Sequence, residues 1–356
     1  MAKLQINDIL ATALSAKASD IHLTVALPPM MRTSKGLIPM ENFPVLQADD
    51  TLEMLLSITS DHQREIFNSK GELDMSFAVD GLGRYRVNAF RQRGSVAMAL
   101  RTVNTVVPSP ESLGLPPAFV NLYTRKRGLI LVTGPTGSGK STSLASIINQ
   151  VNENRNEHII TLEDPIEYLH LHKSSMVNQR EIGFDSMSYD AALRAALRED
   201  PDVILVGEMR DFETISTAIT AAETGHLVLS TLHTIGAAST VDRIIDVFPP
   251  HQQSQIRVQL ANVLEAVISQ QLIPCTDGRS RVAVFEVMIS NSAVRNLIRE
   301  GKSHQLLSVM QTTRKIGNIA MDEAIMQVYQ EGKITRENAI EYAVDPEGMA
   351  AKLKAF

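Results

Sequence analysis

Two patterns of apolar and polar positions divide this chain. From Gly71 to Val103 the alternation has period two, with Leu73, Met75 and Phe77 set against Asp74, Ser76 and Ala78. The turn Gly81-Leu82-Gly83 then leads into Arg84-Tyr85-Arg86-Val87-Asn88-Ala89-Phe90. That spacing predicts two half-buried strands, with Arg84 and Arg86 on one face and Tyr85 and Val87 on the other. Ahead of them, Leu4, Ile6, Ile9, Leu10, Ala13 and Leu14 recur at helical spacing, and Ser19-Asp20-Ile21-His22-Leu23 reads as a turn into a strand. Met30-Met31-Arg32 and Leu37-Ile38-Pro39, parted by Ser34-Lys35-Gly36, predict a hairpin. The stretch from Asp49 to Phe67 predicts a helix burying Leu52, Leu55, Leu56 and Ile58.

Beyond residue 119 the pattern changes to short unbroken apolar runs separated by helical periodicity, the signature of a mostly parallel sheet. Leu129-Ile130-Leu131-Val132, Ile159-Ile160-Thr161-Leu162, Val203-Ile204-Leu205-Val206 and Leu227-Val228-Leu229 are the expected strands. A helix is expected from Asp190 to just before Pro201, burying Leu193, Ala196 and Leu197. Residues 254–273 carry Ile256, Leu260, Val263, Leu264, Val267 and Ile268, which reads as one helical core stripe. After Asn291 the chain reads as all-helical, anchored by Val294, Leu297, Ile298, Leu306, Leu307, Ile325 and Val328. The proline-rich stretch 104–118 is the expected linker. The predicted organisation is therefore an α+β domain over 1–103, an α/β domain over 119–290 and a helical region over 291–356.

The first expected strand of the second domain feeds Gly134-Pro135-Thr136-Gly137-Ser138-Gly139-Lys140-Ser141-Thr142, and a helix pattern follows at once. Strand, GxxxxGK[ST] loop and helix together are the context of a phosphate-binding loop. Its glycines let backbone N–H groups converge on phosphate oxygens, aided by the helix dipole. Lys140 is placed to reach the β- and γ-phosphates, and the Ser141 hydroxyl to ligate Mg²⁺. The chain is thus expected to bind a nucleoside triphosphate.

The other strands end in polar clusters: Glu163-Asp164-Pro165-Ile166-Glu167, Gly207-Glu208-Met209-Arg210-Asp211 and Ser230-Thr231-Leu232-His233. Ligands of such sheets sit at the carboxyl ends of strands, so these clusters should meet at the nucleotide. Hydrolysis needs a held metal and an oriented water. Glu163 and Glu208 are the candidates, with Asp164 and Glu167 behind them. Gly207 stands where a metal-ligating Asp is common, which leaves Glu208 to support the metal, directly or through water, or to orient the water. His226 and His233 flank one strand, and His233 occupies the productive end. Arg84 and Arg86, with Arg91, Arg93 and Arg101 nearby, form an arginine-rich face. Pattern alone leaves that face as either solvated charge or a phosphate-directed set.

Composition narrows the partners. A net charge of −6 and 4% aromatics without Trp oppose a surface for stacking and neutralising nucleic acid. The single cysteine, Cys275, excludes an internal disulfide and a thiolate zinc cage, and suggests a reducing compartment. No run approaches 18 apolar residues and the first residues lack a signal-peptide core, so a cytoplasmic protein is expected.

Taken in order, Gly134 to Thr142, Ile160 to Glu167, Ile204 to Asp211 and Glu223 to Thr234 resemble the Walker A, Asp-box, atypical Walker B and His-box segments of the type II/IV secretion ATPase superfamily. Ser19 to Leu23 is similar to that family's N-terminal motif. Within it the chain most resembles the type IV pilus retraction ATPases. Three features support this: the chain opens on the Ser-Asp-Ile-His domain, it has no four-cysteine zinc insertion, and Ala293 to Glu300 is similar to a retraction-associated helix motif, with Val294 where Ile is usual. The resemblance implies a PAS-like α+β domain, a RecA-like ATPase domain and a helical tail. It implies ATP and Mg²⁺, a homohexameric ring, and Arg84, Arg86 and Arg101 acting at domain and subunit boundaries. It further implies work on an inner-membrane pilus platform protein at the cytoplasmic face, in some cases beside a paralogous retraction ATPase. An assembly or secretion ATPase of the same superfamily is the alternative, and a RecA-type nucleic-acid motor a distant one.

Overall fold

Ile6, Ile9, Leu10 and Ala13 recur at helical spacing, and the helix Ile6–Ser15 buries those four residues. This computed structural model describes residues 4–354. Contacts divide the chain into two units, Met1–Thr105 and Val106–Phe356. In the first unit, strand β1 (Asp20–Leu23) is followed by the hairpin β2 (Met30–Thr33) and β3 (Gly36–Pro39). The meander β4 (Glu72–Val79), β5 (Gly83–Gln92) and β6 (Ser95–Thr102) completes a six-stranded sheet. Its order is β3-β2-β1-β6-β5-β4, and every pairing is antiparallel. Tyr85, Val87 and Ala89 point from β5 into the core, as their alternation requires.

The stretch expected to form one helix from Asp49 to Phe67 forms two, Ala48–Ile58 and Asp61–Lys70. Ser60 breaks it. Its hydroxyl accepts from Gln63 N while its own N–H donates to Gln63 Oε1, a reciprocal cap that starts a new helix. The buried face of the first helix is Thr51, Met54 and Leu55, packed on β6, whereas Leu52 and Leu56 are 42% and 40% exposed. The expectation followed the leucines, but Met54 occupies the inward position one step round the helix.

The second unit is built on β7 (Gly128–Thr133), β8 (His158–Glu163), β9 (Met176–Glu181), β10 (Val203–Val206), β11 (Leu227–Leu232), β12 (Leu264–Pro274) and β13 (Arg281–Ile289). The strand order is β13-β12-β7-β11-β10-β8-β9, parallel throughout except for the antiparallel pair β12–β13. Successive residues of β7 serve opposite layers. Leu129 and Leu131 join the cluster under helices Phe212–Glu223, Ala237–Asp246 and Gln253–Val263, while Ile130 and Val132 join the cluster under helix Lys140–Asn154. A strand covered on both faces reads as an unbroken apolar run, which is why these strands were visible in the sequence. Leu115, Phe119 and Leu122 belong to the second of those clusters.

Residues 254–273 depart from the expected single helix. The helix stops at Val263, and Leu264 begins β12, which lies beside β7. Both halves are buried, so helical and doubly covered strand patterns coincide there, and β-branched Val267, Ile268 and Ile273 favour the strand. The edge strands β9 and β13 were not anticipated. C-terminal to Asn291 come helices Ser292–Arg299, Leu306–Thr312, Met321–Gln330, Arg336–Glu341 and Pro346–Lys354. Of the expected anchors there, Val294, Ile298, Leu306 and Ile325 are buried, whereas Leu307 is 48% exposed.

Candidate active site

The loop 134–139 turns from the end of β7 into the helix Lys140–Asn154, and its shape depends on having no side chain at two places. Gly134 has φ of +140°, and a Cβ there would lie 2.2 Å from Gln270 O. Gly139 has φ of +89°, and a Cβ there would lie 2.9 Å from Gln270 Nε2. The loop is thus pressed onto β12, and Gln270 is anchored by the Ser143 hydroxyl, which donates to its Oε1 at 2.9 Å. Pro135 O accepts from Ser138 N within the loop, and the Ser138 hydroxyl is buried there without a protein partner.

A cavity of about 650 Å³ opens above the loop, lined by Thr136, Gly137, Gly139, Lys140, Ser141 and Thr142 on that side. Lys140 is buried, and its ammonium donates to Gly134 O at 2.8 Å and Pro135 O at 3.0 Å. Burial pushes the Lys140 ammonium down, against the pull of Glu208 and Glu167. A cation held over glycine-rich backbone, with a buried hydroxyl lacking a partner, fits a polyphosphate.

The opposite wall comes from the ends of β8, β10 and β11, including Glu163, Glu208 and His233. Glu163 ends β8, and its Oε1 accepts from the Thr161 hydroxyl at 2.6 Å and from Gln179 Nε2 at 3.0 Å. Burial pushes the Glu163 carboxyl up despite those two bonds. Glu208 follows β10. Its Oε2 is 2.7 Å from the Arg210 guanidinium, and its Oε1 is 2.9 Å from His233 Nε2. Burial alone would raise the Glu208 carboxyl, but the hydrogen bond and charge of Arg210 and the contact with the His233 ring outweigh it, and the net shift is downward. The glycine at 207 has a packing cause: a Cβ there would lie 2.8 Å from the Tyr189 hydroxyl and 3.1 Å from Leu162 O.

Among the described residues, no three His, Cys, Asp or Glu side chains converge to hold a metal by themselves. Ser141 and Glu208 are both in the cavity wall, and that sparse oxygen set suits Mg²⁺, which is usually held by one or two protein groups together with substrate phosphates and water.

His226 is not brought to this wall. It precedes β11, at the other end of the strand from His233, and its Nδ1 lies 2.9 Å from Ala221 O. The six residues of β11, at about 3.3 Å each, separate the two histidines by roughly 20 Å. Arg84, Arg86 and Arg101 belong to the first unit, where Arg86 and Arg101 face each other across β5 and β6. Arg101 donates to Asp20 Oδ1 at 2.9 Å from the neighbouring β1. Asp20 thus meets the charge of Arg101, and both Arg86 and Arg101 are exposed.

Three wall residues, Tyr168, His170 and Tyr189, and Gln179 behind Glu163, had no signal in the sequence. Tyr168 donates to the Thr142 hydroxyl at 3.3 Å, Gln179 supports Glu163, and Tyr189 stands over Gly207. His170 is driven down to about 4 by burial, with Lys173 adding to it, and so is neutral at pH 7. Gln179 lies on the unanticipated β9. Tyr168 and His170 lie on an irregular segment where no periodicity points inward.

Residues 99–344 match the family model described as type II/IV secretion system protein. The chain is 46% identical over 344 residues to the type IV pilus retraction ATPase PilT of Pseudomonas aeruginosa, covering 97% of this chain and 99% of that one. It is 49% identical over 322 residues to a twitching motility protein of Neisseria gonorrhoeae, covering 90% and 86%. The crystal structure of the pilus retraction motor PilT with bound ADP matches at a TM-score of 0.90 and 49% identity, over 98% of this chain and 99% of that one. Phosphate loop, carboxylates and relatives agree: the chain is a nucleotide-binding ATPase and belongs to the type II/IV secretion system protein family.

Proposed function

We propose that this chain hydrolyses ATP to drive retraction of type IV pili, the disassembly stroke of twitching motility. The single observation that carries the direction of work is identity near one half, over almost the full length of both chains, with a pilus retraction ATPase. The chemistry common to retraction and assembly motors comes from the site. The backbone of Gly134 to Gly139 and the Lys140 ammonium hold the phosphates. Ser141, with Glu208 directly or through water, holds Mg²⁺, which when bound neutralises charge on the β- and γ-phosphate oxygens. Glu163, once ionised, accepts the proton of the attacking water. Glu208 in turn fixes His233 beside the reacting end.

A homohexameric ring supplies the remaining positive charge in this reading. Arg84, Arg86 and Arg101 approach nucleotide at domain and subunit boundaries, where such arginines contribute roughly 10³ to 10⁵ in rate in related NTPases. Sequential closure around the ring acts on an inner-membrane pilus platform protein from the cytoplasmic face, in some hosts beside a paralogous retraction ATPase. Among the described residues no helix is long and apolar enough to cross a membrane, so in this reading membrane attachment runs through partners. Nucleic acid is not a substrate in this reading.

Deleting the gene in its host, then counting surface pili and scoring twitching, tests the direction of work. Abundant pili with lost motility is the expected outcome. Bald cells would make the chain an assembly motor.

A further inference from the structure

Glu286 lies in β13, away from the nucleotide cavity, with 6% of its surface exposed. Its two carboxyl oxygens are used separately. Oε1 accepts from Ala237 N at 2.7 Å and Oε2 from Met321 N at 3.2 Å. Ala237 is the first residue of helix Ala237–Asp246, and Met321 the first of helix Met321–Gln330. Gly236 and Ala320, the residues preceding them, provide no side-chain cap to either helix. One carboxylate therefore caps two helices that are far apart in sequence, and both helix dipoles favour its charge. Burial pushes the Glu286 carboxyl up and Asp322 adds to it, while the two N–H bonds oppose them.

The two helices belong to different parts of the ATPase unit. Ala237 comes four residues after His233, on the same turn, and Gly236 N is tied to the Ser269 hydroxyl of β12 at 3.0 Å. Met321 opens the C-terminal cluster formed by Ile325, Ile334, Ala339, Met349 and Leu353. The approach to Met321 is fixed to the same strand by paired Val287–Ile319 backbone bonds and by Ile289 N donating to Asn318 Oδ1.

We propose that Glu286 is a positioning residue for hydrolysis, coupling the turn that carries His233 to the C-terminal helices. Docking of helix Met321–Gln330 then sets where His233 stands against Glu208, and nucleotide at the cavity is felt in the C-terminal helices. The proposal rests on ATP hydrolysis at the phosphate loop and is indifferent to the direction of work on the pilus.

Amide hydrogen exchange on the full-length wild type is the first test. Saturating ADP is expected to change protection at Ala237 and within Met321–Gln330 together. A change at Ala237 without one at Met321–Gln330 would overturn the coupling. The second test is E286Q, whose NH₂ cannot accept from a backbone N–H, so that one helix loses its cap. Its kcat is expected to fall by about 5- to 100-fold, within the range of coupling between sites, while KM for ATP stays within about twofold. E286D, with the charge but too short to span both amides, is expected to behave alike and replaces E286Q if that variant fails to fold. I325V loosens the same C-terminal core without touching the clasp and is expected to keep wild-type kcat. Wild-type kcat in E286Q, or an equal loss in I325V, would defeat the proposal. A wild type without ATP turnover would instead defeat the functional reading.

Discussion

The ends of β8 and β10 present two carboxylates to one cavity under opposite electrostatic regimes. Glu163 is enclosed, and its donors are all neutral, the Thr161 hydroxyl, the Gln179 amide and the Glu167 backbone N–H, which do not overcome burial, so its carboxyl is pushed up. Glu208 is more open and is gripped by Arg210 and His233, so its carboxyl is pulled down. Two acids whose environments drive their proton affinities apart are suited to different tasks. Glu163 holds its proton more tightly than an ordinary carboxyl and so makes the stronger base once ionised, whereas Glu208 gives its proton up more readily and is suited to orienting or ligating. The sequence offered Glu163 for polarising the water and Glu208 for the metal, the water or both, without dividing the roles.

Neutralising Glu163 breaks this comparison at its most sensitive point. E163Q keeps the shape and the Thr161 bond but cannot accept a proton. Its ATP turnover is expected to fall by roughly 10² to 10⁴ with nucleotide affinity preserved, the range typical of a lost general base. The acid limb of the wild-type pH–rate profile should lie above the ordinary carboxylate value of 4.5, because protonating Glu163 switches the base off. E163Q should flatten that limb. Steady-state rates and nucleotide titrations across pH decide both points, and turnover in E163Q near that of the wild type would remove the residue from the mechanism.

E208Q tests the other half, with a smaller effect. Losing the charge frees Arg210 and His233 and weakens support for the metal, so activity is expected to fall about 10- to 100-fold, as for lost supporting groups around metals. The Mg²⁺ concentration for half-maximal rate should rise in E208Q and stay unchanged in E163Q. Equal Mg²⁺ dependence in the two variants would erase the division of labour.

Stability should move the other way. Glu163 has a folded pKa above its unfolded value, so the native state loses stability as pH rises through that folded value. At neutral pH the buried charge is a cost that Gln lacks. E163Q should therefore melt higher than the wild type, by about 2–4 °C for each kcal/mol relieved in a unit of this size. The gap should close as pH falls towards 4.5. Glu208 has the reverse sign. Its contribution is present above the unfolded value and fades as pH falls through the depressed folded one, so E208Q should not gain at neutral pH. Thermal melts at several pH values measure both.

What could be read in advance follows from covalent order. The phosphate loop, the strand-end clusters and the β4–β5 hairpin are encoded within single stretches, where spacing and turn chemistry determine geometry, whereas the third strand of the meander, β6, was not anticipated. Gln179 on edge strand β9, Tyr189 over Gly207 and Glu286 between two helices act through tertiary neighbours, so their roles exist only after folding. The stretch 254–273 misled because burial was uniform, and only the β-branched residues of its second half marked the change to strand.

The histidines flanking β11 make the smallest and most discriminating prediction. From sequence both were catalytic candidates, and the fold separates them by the full length of the strand. His233 shares Glu208 with Arg210, and H233N should lower turnover while leaving the protein folded. The His226 ring lies against Ala221 O and the Thr224 hydroxyl at the end of helix Phe212–Glu223, where Asn can reproduce part of the bonding. H226N is therefore expected to keep ATP turnover within about twofold, with any change confined to melting temperature, as for a local cap. A loss of activity in H226N matching that of H233N, without a loss of stability, would mean that the amino end of β11 communicates with the cavity, and the separation of the two histidines would no longer mark where the chemistry lies.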